Sequence, residues 1–160
     1  TAEKFSVAEE SDKKIALELM TSLNFVGEQL SNIEGVNALT DVTGIGLCGH
    51  GLEMAEGSGL CAEIVFDKIP KIPGVATYIE KECIPGGTFR NFASYGHKIS
   101  PLDDFRKAIV CDPQTSGGLL IAVSAEAIDD VRETAKKYGV PLHEIGRMKR
   151  RESDYSIEII

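Results

Sequence analysis

The apolar residues of this chain change their spacing several times between the period of a helix and the period of a strand. From Ser11 to Leu30 they recur every three or four residues, which predicts one amphipathic helix closed by Gly35. In residues 60–66 apolar residues alternate along the chain, which predicts a strand with one better-buried face. Helices and strands therefore mix without the regular alternation of a doubly wound sheet. The pattern predicts an α+β fold with a mixed sheet covered by helices.

The remaining elements are predicted from the same two periods and from the positions of glycine and proline. A chain of 160 residues with 42% hydrophobic content can bury one sizeable core, so we expect a single domain over residues 1–160. Residues 85–88 predict a turn, and Ser124 is the expected N-cap of a later helix. The expected strands are 36–39, 119–123 (a buried strand), 142–148 and 155–160, the last two forming a hairpin, and the expected helices are 47–55, 74–82, 89–95 and 124–138.

The charge and the cysteines of the chain limit its partners and its setting. With a formal net charge of -8 the chain offers no basic field to a phosphate backbone, so we expect no nucleic-acid partner. No apolar run reaches the roughly 18 residues that cross a bilayer, so we expect no membrane partner. The first residue is Thr1, and we expect a longer parent protein. No CxxC pair is present, and we expect buried cysteines in a reducing, cytoplasmic setting: Cys48, Cys61, Cys83 and Cys111.

A first polar segment, DVTGIGLCGH at residues 41–50, places a carboxylate at the end of a strand and before a glycine-rich turn that opens a helix. Asp41 can ligate Mg²⁺ there, and backbone N–H groups of the turn can approach phosphate oxygens. The same residues also fit an ordinary turn with a capping aspartate. His50 fits a ligand or, more simply, a hydrogen-bonded structural histidine.

Two further segments combine glycines with hydrogen-bonding side chains. IPGGTFRN, residues 84–91, resembles an anion-cradling loop, but it lacks the lysine of a Walker loop and also fits a plain turn. CDPQTSGGLL, residues 111–120, crowds polar side chains against a predicted core strand, and it also fits a loop that satisfies its own backbone. No GxSxG elbow is present and the three histidines show no triad arrangement, which argues against a serine hydrolase.

Taken together and in this order, the three segments resemble the signature segments of the carboxy-terminal half of the selenophosphate synthetases, the selenide, water dikinases. The resemblance is close from residue 8 to residue 123, and the DPQTSGGLL segment favours this family over relatives that share its fold. It implies a three-layer α+β fold like that of the carboxy-terminal domain of aminoimidazole ribonucleotide (AIR) synthetases. Nothing here matches the family's amino-terminal half, with its glycine-rich segment, its Cys or selenocysteine and its essential Lys, so no catalytic residue is expected.

The resemblance also implies an activity and a set of site residues. The family makes selenophosphate, AMP and orthophosphate from ATP, selenide and water with Mg²⁺, and its dimer forms through the amino-terminal half. Asp41 matches the metal-binding aspartate of the carboxy-terminal half, and alone it would bind metal poorly. The isolated chain is expected to fold without turning over. The residues that match nucleotide-facing segments are Thr43, Gly44, Gly86, Gly87, Thr88, Asn91, Gln114, Thr115, Ser116 and Gly117.

Two alternatives stay open at this point. The chain can belong to a sister ATP-dependent synthetase of the same superfamily, although its DPQTSGG segment argues against a purine-pathway enzyme. It can also be a binding module that kept the fold and lost catalysis. In the enzyme interpretation Asp41, the turn at 86–87 and residues 114–117 should lie together on one open face.

Overall fold

The computed structural model describes residues 1–160, which form seven α-helices and five β-strands. None of the helices combines the length and the apolar character needed to cross a membrane. The helices are α1 (Glu10–Thr21), α2 (Val26–Ser31), α3 (Gly46–Ser58), α4 (Val75–Glu80), α5 (Gly86–Tyr95), α6 (Asp104–Val110) and α7 (Ile128–Lys137). The strands are β1 (Val36–Asp41), β2 (Leu60–Ile64), β3 (Leu119–Val123), β4 (Gly146–Arg150) and β5 (Ile157–Ile159).

The five strands form two separate sheets. β1 and β3 make an antiparallel pair in which Asp41 lies opposite Leu119. In the second sheet β2 is central, antiparallel to β4 and parallel to β5. The prediction of an α+β fold with a mixed sheet is confirmed, and the mixed sheet is the three-stranded one.

The β1–β3 pair is covered on both faces because the side chains of β3 alternate between two apolar cores. Leu120 packs with the larger core around α3, whereas Leu119 and Ile121 pack with the smaller core of α2 and α7. This is a helix–sheet–helix arrangement of three layers. The three-stranded sheet packs on α3, where Gly51 lets Ile157 come within 3.2 Å of the position that a Cβ would occupy.

The predicted helix from Ser11 to Leu30 is wrong in one respect, because the structure divides it into α1 and α2. Ser22 has extended backbone angles (φ -71°, ψ 130°) and ends α1. Val26 and Leu30 of α2 are each 2% exposed and pack with Val131 of α7. No residue of α1 is buried. The apolar period runs through both helices, but only α2 has a core to pack against.

The predicted terminal hairpin is also wrong, because β2 lies between β4 and β5. Gly146 permits the close approach of β4 to β2, since a Cβ there would stand 2.0 Å from the carbonyl oxygen of Glu63. Lys149 Nζ lies 2.8 Å from Glu63 Oε2 of β2 and 2.6 Å from Glu158 Oε2 of β5, so one cation links all three strands. The local patterns located β4 and β5 but carried no information about the strand between them.

The predicted turn at residues 85–88 is instead the start of a helix. Pro85 is the N-cap of α5, and the three residues after it form the first helical turn. Ser124 does not cap α7 through its side chain. Its hydroxyl oxygen accepts a hydrogen bond from Asn37 Nδ2 at 2.9 Å, and a short 3₁₀ turn separates it from the helix.

Smaller differences concern the burial and the ends of strands. β2 ends at Ile64, and Phe66 begins a 3₁₀ turn rather than continuing the strand. The face of β2 that carries Ala62 and Ile64 is buried, as predicted, although Cys61 on the other face is buried as well, and β3 is partly rather than fully buried. The predictions of β1, α3, α4 and α7 are confirmed. All four cysteines are free and buried, as expected.

Candidate functional site

Asp41 ends β1 where the chain leaves the two-stranded sheet. It is exposed, and its pairing with Leu119 positions the end of the strand. No group of three or more His, Cys, Asp or Glu side chains is arranged to hold a metal ion. Mg²⁺ is commonly bound by one or two carboxylates together with phosphate oxygens and water, so a lone exposed carboxylate fits one such ligand position.

The turn after Asp41 depends on a glycine. Gly46 has φ 73°, in the left-handed region, and its N–H donates to the Thr43 carbonyl at 3.0 Å. A Cβ at this position would stand 2.9 Å from the carbonyl carbon of Cys111 and 2.9 Å from the carbonyl oxygen of Asp112. Glycine satisfies both the backbone angle and the close approach. The turn of the first segment is therefore packed directly on the start of the third.

His50 holds the same turn from α3. Its Nε2 accepts a hydrogen bond from the Thr43 backbone N–H at 3.1 Å and lies 3.2 Å from Thr43 Oγ1. Because Nε2 accepts, we assign the ring proton to Nδ1, which lies 3.2 Å from Glu53 Oε2. Both ring nitrogens are therefore engaged within the chain. This geometry favours the structural histidine among the two interpretations of His50.

The third segment extends the pairing of β1 with β3 beyond the two strands. The Val42 N–H donates to the Gly118 carbonyl at 2.9 Å, and the Gly117 N–H donates to the Val42 carbonyl at 3.0 Å. The Gln114 N–H then donates to the Thr43 carbonyl at 3.1 Å. Backbone hydrogen bonds therefore join the first and third segments along their length.

Two residues of the third segment are confined by their neighbours. Gly117 has no room for a side chain, since a Cβ would stand 2.2 Å from Gln114 Oε1 and 2.9 Å from the Val42 carbonyl oxygen. Ser116 has φ 51°, and its hydroxyl donates to the Ser22 carbonyl at 2.5 Å. The loop is thereby tied to the link between α1 and α2 as well as to β1.

One stripe of α5 faces the other two segments. Gly87, Asn91 and Tyr95 follow each other at intervals of four residues, so they lie on one face of the helix. Gly87 lies against Pro113, whose Cγ would be 2.7 Å from a Cβ at position 87. Gly87 of the second segment therefore permits a close helix–loop contact, and the segment does not form the open turn that the sequence predicts.

The polar members of this stripe bind backbone carbonyls. Asn91 Nδ2 donates to the carbonyl oxygen of Gly44 at 3.0 Å and to that of Cys111 at 3.0 Å. Tyr95 donates its hydroxyl hydrogen to the carbonyl of Ile45 at 2.5 Å. Asn91 is thus the one side chain that joins all three segments, since it stands on the second and binds the first and third.

We call the place where the first, second and third segments contact one another the junction. Burial alters the pKa values of groups there. Desolvation raises the pKa of Asp112 to about 6, and the Thr1 amino group and the Thr88 hydroxyl lower it by a smaller amount. Thr88 Oγ1 is buried and stands near Asp112 without reaching hydrogen-bonding geometry with any partner. Burial also raises the pKa values of Cys48 and Cys111, so these thiols stay protonated and are weak nucleophiles.

The ten residues matched to nucleotide-facing segments differ in their access to solvent, and their proposed contacts stay a prediction. Thr88 is 1% exposed. Exposed residues are Gly44, Gly86, Thr115 and Gly117, and partly buried residues are Thr43, Gly87, Asn91, Gln114 and Ser116. Hydrogen bonds join the three segments, while the shared open face of Asp41, residues 86–87 and residues 114–117 stays a prediction.

Tyr95 and Pro113 are not among the site residues predicted from the sequence, although both contribute to this junction. A helix that begins at Gly86 puts Tyr95 two turns after Gly87 on the same face, so the correct helix start would have revealed the stripe. No sequence signal pairs Pro113 with Gly87, because that contact depends on tertiary packing.

Comparisons with known proteins show what the whole chain is similar to. The family described as "AIR synthase related protein, C-terminal domain" matches residues 2–157. The chain is 52% identical to the selenide, water dikinase of Pasteurella multocida (strain Pm70) over 159 residues, which are 99% of this chain and 45% of that protein. It is 46% identical to the selenide, water dikinase of Pseudomonas putida over 160 residues, which are 100% of this chain and 46% of that protein.

The chain therefore spans less than half the length of the curated relatives it matches. Among solved structures, the thiamine-monophosphate kinase from Stenotrophomonas maltophilia K279a is similar over 78% of this chain and 31% of that chain, with 17% sequence identity and a TM-score of 0.48.

Proposed function

Since this chain belongs to the family of AIR synthase related proteins, whose C-terminal domain it matches, we propose that it works as the carboxy-terminal half of a selenide, water dikinase. In this proposal the full-length protein converts ATP, selenide and water into selenophosphate, AMP and orthophosphate. This half contributes to the ATP and Mg²⁺ site and is inactive alone. The full-length protein works in the cytoplasm as a homodimer joined through its amino-terminal half.

The observation that carries the proposal is the direct contact between the three segments. Hydrogen bonds from Asn91 to Gly44 and Cys111, and from Gln114 to Thr43, bring residues separated by up to about seventy positions into one junction. Asp41 leads into that junction from β1. An identity of about half with selenide, water dikinases over nearly the whole chain supports the choice of substrate class.

Asp41 is the residue that would hold Mg²⁺ from this half. Its carboxylate is exposed and belongs to no cluster of metal-ligating side chains, so it would supply a single ligand and depend on carboxylates elsewhere in the full-length protein. A bound Mg²⁺ neutralises charge on transferring phosphates. The exposed residues Gly44, Gly86 and Thr115 are the ones whose backbone N–H groups a phosphate can approach without rearrangement of the chain, because the Gly117 N–H already donates to Val42.

The test compares Asp41→Asn with wild type in the full-length protein. We expect selenide-dependent AMP formation from ATP and Mg²⁺ to fall by about 100-fold or more, the size seen when one preorganised electrostatic contact at a reacting group is lost. Asp67→Asn is the matched control, because Asp67 is also exposed but lies in the 3₁₀ turn after β2. Circular dichroism of each variant checks that the fold is intact.

The outcomes separate the proposal from its alternatives. Unchanged activity in Asp41→Asn would return Asp41 to the role of a turn residue. ATP turnover that does not depend on selenide in the wild type would indicate a sister synthetase of the superfamily, and failure to use ATP at all would indicate a binding module. AMP formation by the pure 160-residue chain would contradict the claim that this half is inactive alone.

A further inference from the structure

Three consecutive residues of the turn after Asp41 are each bound by a side chain from a helix. His50 of α3 accepts from the Thr43 N–H. Asn91 of α5 donates to the Gly44 carbonyl, and Tyr95 of α5 donates to the Ile45 carbonyl. We name His50, Asn91 and Tyr95 the turn clamp.

The turn needs such contacts because its own backbone is permissive. Gly44 is exposed and has no atom within 4 Å of a Cβ position, so packing does not restrain it. Gly46 follows two residues later in a left-handed conformation. Glycines lose more conformational freedom on folding than other residues, and a turn that contains two of them requires outside contacts to adopt one conformation.

The role of Asn91 follows from the number of hydrogen-bond donors on its side-chain amide. A carboxamide nitrogen carries two N–H groups, and Asn91 Nδ2 has two carbonyl acceptors at 3.0 Å, on Gly44 and Cys111. Both donors are therefore used within the chain. The amide nitrogen has no donor left for a nucleotide, although Asn91 belongs to a segment matched to the nucleotide cleft.

We infer that Asn91 is a positioning residue, and that the turn clamp fixes the turn on which Asp41 and the third segment meet. Asn91 also binds the Cys111 carbonyl. Removal of its side chain should therefore release both the first and the third segment from α5. The consequence for catalysis rests on the function proposed above. A misplacement of about 1 Å at a reacting centre can cost about 100-fold in rate, so a clamp outside the reacting groups can control activity.

Amide hydrogen exchange in the 160-residue chain, without nucleotide or metal, tests the clamp directly. The amides to follow are Thr43, Gly46 and Gln114, because their N–H groups are hydrogen-bonded inside the junction. In Asn91→Ala we expect their exchange, corrected for intrinsic rates, to accelerate about 10- to 100-fold, since two hydrogen bonds are lost. Amides of α7 should keep their wild-type rates.

Asn91→Asp distinguishes hydrogen bonding from packing. Asp has the shape of Asn, so a packing role predicts wild-type exchange. A carboxylate, however, faces two carbonyl oxygens without a donor, so the clamp predicts exchange faster than in Asn91→Ala at pH 8, with partial recovery at a pH where the acid is protonated and can donate one hydrogen bond. Tyr95→Phe removes the hydroxyl donor alone and should give a smaller acceleration.

Asn32→Ala is the matched control, because Asn32 Nδ2 also donates to a backbone carbonyl, that of Glu28 at 2.7 Å, but stands at the end of α2, outside the three segments. Exchange at Thr43, Gly46 and Gln114 that is unchanged in both Asn91 variants would overturn the inference. Acceleration in those variants supports it even if the full-length protein proves not to use ATP, so failure of the clamp and failure of the proposed function give different results.

Discussion

Helix α1 and the turn at residues 42–46 are held in the fold in opposite ways. α1 has the apolar spacing of a packed helix, yet it buries no residue, and Leu17 and Leu19 are 59% and 47% exposed. The contact of α1 with α4 is polar: the Tyr78 hydroxyl donates to Asp12 Oδ2 at 2.5 Å and accepts from the Glu9 N–H at 3.1 Å. The turn is anchored in the larger core by Val42, and side chains of α3 and α5 bind its backbone from two helices.

The difference shows that the apolar spacing of a segment does not tell how firmly contacts hold that segment in the fold. A helix face becomes part of a core only when another element presents a matching surface. α2 packs with α7 in the smaller core, whereas no residue of α1 is buried. The turn is fixed by hydrogen bonds to His50, Asn91 and Tyr95 and by steric limits at its glycines. A segment without regular apolar spacing, such as this turn, can thus be held by more contacts than an amphipathic helix.

The largest effect is expected where the turn touches the third segment. Gly46→Ala places a Cβ 2.9 Å from the backbone of residues 111 and 112 at a positive φ. We expect a loss of about 2–4 kcal/mol in the free energy of unfolding, from left-handed strain and overpacking together. Urea unfolding followed by circular dichroism measures it.

Gly57→Ala is the matched control for this prediction. Gly57 lies in the same helix, α3, and nothing stands within 4 Å of its Cβ position. Alanine there should stabilise the chain by about 0.5–1 kcal/mol through its higher helix propensity. Equal effects of the two substitutions would show that the contact between Gly46 and the third segment is not a close one.

A smaller, pH-dependent effect is expected at Asp112. Its pKa is raised from 3.8 to about 6 in the folded chain, so folding disfavours its ionised form. The resulting penalty is absent below pH 3.8, grows between pH 3.8 and 6, and is complete above pH 6. Asp112→Asn should therefore stabilise the 160-residue chain by about 1–2 kcal/mol at pH 8 and much less at pH 4.

Urea unfolding of wild type and Asp112→Asn at the two pH values measures this difference. Asp154→Asn is a suitable control, because Asp154 is exposed between β4 and β5 and its carboxylate makes no hydrogen bond or ion pair. An advantage of Asp112→Asn that is the same at pH 4 and pH 8 would mean that the Asp112 carboxyl is not desolvated in the folded chain.

The segments of the junction could be located from the sequence, but their contacts could not. Strand β1 ending at Asp41 and a helix opening after Gly46 follow from local apolar spacing and glycine positions. The partners of Asn91 are separated from it by 47 and 20 residues, and no local pattern encodes such pairs. Side-chain type therefore indicated a polar function for Asn91, while its acceptors became known only from the tertiary structure.

The errors in the predicted elements have the same origin. Pro-Gly-Gly at 85–87 has the composition of a turn, and glycine is a weak helix former, but Gly87 is required where α5 approaches Pro113. The position of β2 between β4 and β5 likewise depends on long-range pairing, which Lys149 stabilises. Local preferences were overridden in both places by contacts between distant segments.

The smallest effect is expected at α1. Tyr78→Phe removes both hydrogen bonds between the phenol and the amino-terminal helix, at Asp12 and Glu9. Both bonds lie near the surface, so we expect only a small change in the free energy of unfolding. Because no residue of α1 is buried, amide exchange within α1 should nevertheless accelerate several-fold, while the amides of Thr43 and Gly46 keep their rates.

Tyr155→Phe controls for the loss of a phenol, because the Tyr155 side chain makes no hydrogen bond in the structure and only its backbone N–H is bonded. It should change neither set of amides. Unchanged exchange in α1 of Tyr78→Phe would mean that contacts other than these two hydrogen bonds hold the helix. Faster exchange at Thr43 and Gly46 would mean that α1 and the turn open together, which would remove the contrast between the two regions.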